Sequence, residues 1–307
     1  MITDALPSSF RLSPEVADAL ASKQAVVALE STIVVHGLPA PQNLEVAAEC
    51  EAEVRAAGAV PATIAVVRGE VRIGLSLDEL AELADPSSNA AKLSARDIGI
   101  VLSRGGSGAT TVAGTIALAR RAGIAVMATG GLGGVHRGAA TSFDESADLT
   151  TLSRTSMLVV SSGVKSILDV GATLERLDTL GVPVVGFQTT RFPGFYLRDA
   201  GFALDWSCDS PAAAAAAFDQ HRAVSPTGMV LANPVPEGRE LNQVAHDAAL
   251  AEALAEAERL GATGKAVTPV ILAAFARATT GVSVQVNRDL VVSNASVAAA
   301  VAVALPA

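Results

Sequence analysis

Ile124-Ala-Val-Met-Ala-Thr-Gly-Gly-Leu-Gly-Gly-Val-His-Arg-Gly138 and Met157-Leu-Val-Val-Ser-Ser-Gly-Val-Lys165 are the two stretches whose reading decides the fold. Each opens on a short apolar run without polar alternation and ends in small residues, as a strand covered on both faces does. A helical pattern over 110–121 precedes the first, and another follows Lys165 after the second. Working outward, apolar runs at 98–102, 182–187 and 229–232 read as further strands, and helical stretches near 242–260, 269–279 and 296–304 close the chain. Strands alternating with helices imply a three-layer α/β/α architecture with a largely parallel central sheet.

The N-terminal part carries clear punctuation. Ser13-Pro14 starts a helix, and Ser76-x-x-Glu79 is a capping box for another. Residues 25–29 and 32–35 are β-type runs on either side of Glu30-Ser31, and Asn43 caps a helix over 44–57 that Gly58 stops. Residues 62–67 and 70–73, separated by Arg68-Gly69, read as a hairpin. No repeat, linker or charge run divides the chain, which reads as one α/β unit over residues 1–307.

Composition narrows the function. With 50% hydrophobic and 17% charged residues the chain buries a large core, and with 3% aromatics that core is aliphatic. A net charge of -9 without a basic block argues against a nucleic-acid partner. The longest apolar run, 295–306, is shorter than a membrane span needs, and the N-terminus lacks the pattern of a signal peptide. Cys50 and Cys208 form no C-x-x-C pair, so a reducing compartment, the cytoplasm, is expected.

Candidate chemistry follows from residue types. Of 22 basic residues only Lys23, Lys92, Lys165 and Lys265 are lysines. Where arginine serves as the surface cation, a retained lysine points to a task that needs a deprotonatable amine. Lys165 stands at a strand-to-helix junction, where the first helical turn disfavours a cation. Glu30 interrupts an apolar strand region, either as a salt-bridge partner or as a carboxyl with raised pKa suited to acid–base work. Gly105-Gly-Ser-Gly-Ala-Thr-Thr111 reads as a tight turn before a helix or as an anion site at the helix N-terminus. Thr129-Gly-Gly-Leu-Gly-Gly-Val-His-Arg-Gly138 implies close approach or unusual φ angles, or else a solvent loop. His136 and Arg137 follow its glycines, and Asp144, Glu145 and Asp148 come shortly after. Without an HExxH or Cys/His set, these carboxylates suit an open, mostly water-coordinated Mg²⁺ or Mn²⁺ better than a closed zinc site. His221 and His246 read as solvated, and Tyr196 and Trp206 receive no role.

The blocks Ala28-Leu-Glu-Ser-Thr-Ile33, His36-Gly-Leu-Pro-Ala-Pro-Gln-Asn43, Gly58-Ala-Val-Pro-Ala-Thr-Ile-Ala65 and Gly108-Ala-Thr-Thr-Val112 stand in order along the chain. Ala128-Thr-Gly-Gly-Leu-Gly-Gly-Val-His-Arg-Gly138, Phe143-Asp-Glu-Ser-Ala-Asp148, Gly163-Val-Lys-Ser-Ile-Leu-Asp169, Ala232-Asn-Pro-Val-Pro-Glu237 and Gly264-Lys-Ala-Val-Thr-Pro269 continue the series. Together they resemble the pseudouridine-5′-phosphate glycosidase family from about Ser13 to about Ala300. Residues 191–225 resemble it least, and Ser293-Asn294 stands where an Asn-Asn pair is usual.

The resemblance implies that Lys165 is a Schiff-base nucleophile and Glu30 a proton donor. It implies substrate contacts at Lys92, Val112, Ser146, Ala147 and Asp148, a divalent metal, typically Mn²⁺, on Asp144, and further site positions at His136 and Asn287. The expected reaction is reversible cleavage of pseudouridine 5′-phosphate to uracil and ribose 5-phosphate, by a homotrimer. Two alternatives are a related enzyme acting on another C-glycoside of pigment or antibiotic biosynthesis, and a non-catalytic sugar-phosphate sensor.

Overall fold

The structure is a computed structural model that describes residues 6–262 and 267–306, with the side chains of 267–269 not described. Residues 264–266 of the block 264–269, Lys265 among them, therefore lie outside the described residues. The strands are β1 (Phe10–Leu12), β2 (Val26–Glu30), β3 (Val60–Val67), β4 (Glu70–Ile73), β5 (Ala91–Leu93) and β6 (Gly108–Thr110). They continue with β7 (Val126–Ala128), β8 (Leu158–Ser161), β9 (Val184–Phe187), β10 (Trp206–Cys208) and β11 (Met229–Ala232). The helices are α1 (Pro14–Ala21), α2 (Gln42–Ala56), α3 (Leu77–Ala84), α4 (Ala95–Ser103), α5 (Val112–Arg121) and α6 (Ala139–Ser142). After them come α7 (Ala147–Leu152), α8 (Val170–Thr179), α9 (Pro211–Val224), α10 (Gln243–Arg259), α11 (Val267–Ala278) and α12 (Val282–Ala304).

All the strands join one sheet, with the order β1-β4-β3-β2-β7-β8-β11-β9-β10 and β5-β6 attached to β3. Pairing from β3 through β2, β7, β8, β11 and β9 to β10 is parallel throughout. The central strands β2, β7, β8 and β11 are buried along their whole length, which accounts for their unbroken apolar sequences. Helices cover both faces. α12 lies across β2, β7 and β8 and packs on α2 and α9, while α5 lies against β2 and β3 beside α4 and α7.

β3 and β4 form the expected antiparallel hairpin, with Val67 opposite Glu70. Its turn residues Arg68 and Gly69 both have positive φ, at 50° and 78°, the backbone twist a two-residue hairpin requires. Of the N-terminal signals, Asn43 is no cap: α2 begins at Gln42 after Pro41, and buried Asn43 instead donates to the Val34 carbonyl at 3.0 Å. Ser13 caps α1, and Ser76 and Glu79 exchange capping bonds at α3.

Several local expectations are corrected, among them the helix opening at Lys165: α8 begins only at Val170 with Asp169 as its N-cap, so Lys165 is not in a first helical turn. Residues 98–102 are helical, within α4, because Ile98, Val101 and Leu102 recur at i, i+3 and i+4 and form its inward stripe. The Asp97 carboxylate accepts from the Ser94 backbone N–H at 2.9 Å, which fixes that helix start. Gly105–Thr111 consequently leads from a helix into β6 before α5 begins. Residues 32–35 enter a π-turn, Ile33–Gly37, in place of a strand. The C-terminal helix begins at Val282, well before residue 296.

Candidate active site

β2 ends at Glu30 while β3 runs on, and β6 takes up its vacated edge, pairing with Ala65 and Val66. Ser31 and Thr110 stitch this change of partner. Both hydroxyls donate to the Ile64 carbonyl at 2.7 Å, and the Thr110 N–H donates to Ser31 Oγ at 2.9 Å. A cavity of about 660 Å³ opens here, at the C-terminal ends of the parallel strands. Open parallel sheets generally bind their ligands at that edge.

Beyond β7 and β8 the chain keeps its pairing. The Ser162 N–H donates to the Gly130 carbonyl, the Leu132 N–H to the Gly163 carbonyl, and the Lys165 N–H to the Leu132 carbonyl at 3.1 Å. The glycine-rich stretch thus forms a ribbon with the segment that carries Lys165 and is no solvent loop. Close approach, not backbone sign, explains its composition: Gly130, Gly131, Gly133 and Gly134 are absent from the positive-φ residues. A Cβ on Gly133 would stand 2.7 Å from Asp148 Oδ2.

Asp148 is the clamp of this region. Its buried carboxylate accepts from Ala113 N–H in the first turn of α5 at 2.9 Å and from Gly133 N–H at 2.8 Å. Ser146 caps α7, accepting from Asp148 N–H at 3.2 Å. Thr111 caps α5 through the Gly114 N–H. Among the described residues, neither carboxylate nor hydroxyl takes the Val112 amide.

The structure brings the sequence-selected residues into one wall. Glu30, Lys92, Val112, His136, Asp144, Ser146, Ala147, Asp148, Lys165 and Asn287 all line the cavity. Glu30 is buried and accepts a short hydrogen bond from the Thr129 hydroxyl. Burial pushes its pKa above the usual carboxylate range. The Lys165 and Lys92 cations and the Thr129 hydroxyl oppose that rise, and the Asp148 charge adds to it. A carboxyl that keeps a proton more readily than usual, beside a lysine amine, is suited to proton transfer during attack on an electrophilic carbon.

Three buried wall atoms have no hydrogen-bond partner among the described residues: His36 Nδ1, Ser94 Oγ and Asn287 Oδ1. Leaving a buried polar atom unpaired costs about 1–3 kcal/mol, a cost that a polar ligand removes. His36 also bonds the Ala90 carbonyl through Nε2 at 3.0 Å. Its pKa lies below the ordinary imidazole value because it is partly buried and faces the Lys92 cation, with the Ala90 bond opposing.

His136 Nδ1 lies 3.9 Å from Asp144 Oδ2. Among the described residues no group of three His, Cys, Asp or Glu side chains converges as a preformed metal cage. Glu145 is drawn to Arg176, at 2.9 Å.

The family model described as indigoidine synthase A like protein matches residues 15–304. The chain belongs to this indigoidine synthase A-like family. A relative from Salinispora tropica named pseudouridine-5′-phosphate glycosidase is 60% identical over 94% of this chain and 90% of its own length. The solved prealnumycin C-glycosynthase in complex with ribulose 5-phosphate is 41% identical, with a TM-score of 0.89 over 97% of both chains. The indigoidine synthase A-like protein of Thermotoga maritima is 36% identical, with a TM-score of 0.85 over 96% of this chain and 95% of its own.

Several wall residues of this indigoidine synthase A-like chain escaped the sequence reading. Thr129, His36, Ser94, Arg96 and Arg154 all line the cavity. His36 and Thr129 lie inside quoted sequence blocks, but nothing local shows that Thr129 reaches Glu30 across 99 residues. His246, read as solvated, is buried against the Phe275 ring, and Phe275 in turn stacks on Tyr196. Cys50 fits its reading as a small hydrophobe: burial pushes its thiol up to about 12.

Proposed function

We infer that the chain is a pseudouridine-5′-phosphate glycosidase. The observation that carries this is the pairing of a buried, proton-retaining Glu30 with Lys165 in the wall of one polar cavity. Relatives of that name at about half identity or more over nearly the full length support it.

The bond to be broken joins C1′ of ribose to C5 of uracil. It contains no oxygen or nitrogen to protonate, so a pair of carboxylates alone is insufficient. The Lys165 amine attacks C1′, the C1′–O4′ bond opens, O4′ takes a proton from Glu30, and the excess proton on the Lys165 nitrogen returns to the Glu30 carboxylate. Glu30 passes that proton to C5, which lets the C1′–C5 bond break: its electron pair stays with uracil, and C1′ becomes an iminium on Lys165. Water adds at C1′ and the C1′–N bond breaks, which frees ribose 5-phosphate and restores the lysine. The balance is pseudouridine 5′-phosphate plus water giving uracil plus ribose 5-phosphate. Lys92 and the Val112 amide hold the phosphate, with Ser146 and Ala147 on its sugar side. Asp148 acts by bracing both loops. His136 and Asn287 supply polar contacts to the remaining substrate edge.

Asp144, with His136 close by, suits a hard divalent ion that keeps most of its shell as water, Mn²⁺ being the choice for this site. Such an ion would polarise oxygen ligands and order water there. The enzyme works as one α/β unit over 1–307, assembled as a homotrimer in the cytoplasm. Among the described residues no helix is long and apolar enough to cross a membrane.

Uracil release from pseudouridine 5′-phosphate, followed by liquid chromatography with Mn²⁺ present, tests the reading. Turnover that EDTA abolishes and Mn²⁺ restores is expected. Turnover of another C-glycoside but not of this one would favour the C-glycosynthase type of reaction. Stoichiometric binding without turnover would favour a sensor.

A further inference from the structure

The ends of three adjacent parallel strands meet under one side chain that does not line the cavity. Asn294, on α12, has no exposed surface. Its Nδ2 donates to the Thr129 carbonyl at 2.8 Å, just past β7. Its Oδ1 accepts from Asn233 Nδ2 at 2.9 Å, just past β11, and from Ser162 Oγ at 3.4 Å, just past β8. Asn233 also donates to Ser293 Oγ at 3.2 Å. Both ends of the Asn294 amide and the Ser162 hydroxyl are hydrogen-bonded. A buried amide bonded through both its oxygen and its nitrogen is held in one geometry.

Thr129 is where this network touches the chemistry. Its backbone carbonyl is held by Asn294 and its backbone N–H donates to the Val160 carbonyl at 3.0 Å. With both sides of the residue fixed, its hydroxyl is left directed at Glu30.

We propose that Asn294 is a positioning residue for the reaction, fixing through the Thr129 carbonyl the hydroxyl that Thr129 lays on the Glu30 carboxyl. A β-branched residue on a pinned backbone has a restricted χ1, so the aim of the hydroxyl is set by the backbone. A hydroxyl donating to a carboxylate favours its ionised form. Thr129 and Asn294 therefore limit how far burial raises Glu30. The charges that face Glu30 are Lys165 and Lys92, which act in the same sense as Thr129, and Asp148, which acts against it. On the α2 side the small adjoining void is lined by Cys50, whose thiol stays neutral. The use of Glu30 as proton donor rests on the function proposed above; its titration does not.

The test reads Glu30 directly. In protein labelled with ¹³C at glutamate carboxyls, the resonance lost in Glu30→Gln identifies Glu30, and its pH midpoint is measured without substrate. Thr129→Val and Asn294→Ala should both move that midpoint upward, and Thr129→Ser, which keeps the hydroxyl but loses the β-branch, should leave it between the wild-type and Thr129→Val positions. In turnover, the first two variants should lose roughly tenfold to a hundredfold in kcat with little change in KM, the scale of one hydrogen bond to a charged group. If Asn294→Ala does not fold, Asn233→Ala, which removes a bond orienting the Asn294 amide, is measured instead and must shift the midpoint the same way. An unmoved midpoint in Asn294→Ala, or in its substitute, overturns the proposal, as does a Thr129→Ser midpoint no lower than that of Thr129→Val. Absence of uracil release by the wild type would instead overturn the proposed reaction and leave the titration result standing.

Discussion

At the residue scale, Glu30 and Lys165 were legible because each broke a rule of its surroundings. A carboxylate in an apolar run and a lysine in an arginine-rich chain both run against expectation. Thr129 broke none, since a threonine after a strand is ordinary, and its importance lies in a contact across the sheet. The raised pKa of Glu30 carries a stability consequence. Because its folded value lies above its unfolded one, its contribution is fully present below the unfolded carboxylate value and is lost as pH rises through the folded value. Glu30→Gln escapes that loss. Its Tm relative to wild type should therefore rise with pH across that window and level off above it, as differential scanning calorimetry would report. A constant difference across pH would contradict the assigned burial cost. Lys92 makes a second case. Lys92→Ala should lower kcat/KM for pseudouridine 5′-phosphate by roughly tenfold to a hundredfold, the range for a charge-assisted hydrogen bond. The loss on unphosphorylated pseudouridine should be much smaller, and equal losses would remove the phosphate from Lys92.

At the element scale, β2, β7, β8 and β11 were readable because strands buried on both faces spell themselves as short apolar runs. α4 was misread for the same reason: its apolar residues crowd together, and only their spacing shows a helix with one face covered. β1, β5, β6 and β10 are as short as β7, three residues each, but lack the apolar run that made β7 readable. The glycine-rich stretch was recognisable as special, but its partner was not. The ribbon is made by backbone bonds to residues 162–165, and Asp148 braces it by tying Gly133 to α5. Asp148→Asn replaces one acceptor oxygen by an NH₂ that cannot accept from either amide. The variant should lose about 1–3 kcal/mol of stability, the usual cost of unpairing a buried polar group, seen as a lower midpoint in urea. Unchanged stability would show that the clamp is not needed to hold the ribbon.

At the scale of the whole molecule, one topological event explains the location of the cavity. β2 stops at Glu30, β6 replaces it along β3, and the space left at the strand ends collects residues from positions 30 to 287. The parallel sheet was expected from the alternation of strands and helices. The β2-to-β6 exchange was not, because β6 is short and lay within what read as a turn. The gathered groups are a sugar-phosphate-sized set: cations, amides, a proton-retaining carboxyl and one amine placed beside it. The central claim is that this amine forms a covalent bond to the pentose during turnover. Incubation with ribose 5-phosphate and borohydride, followed by peptide mass spectrometry, tests it most directly. The account predicts a reduced pentose-phosphate adduct on the peptide containing Lys165, absent in Lys165→Arg, which should also lose uracil release because guanidinium cannot serve as the nucleophile. Substantial turnover by Lys165→Arg, or an adduct confined to another lysine, would contradict it.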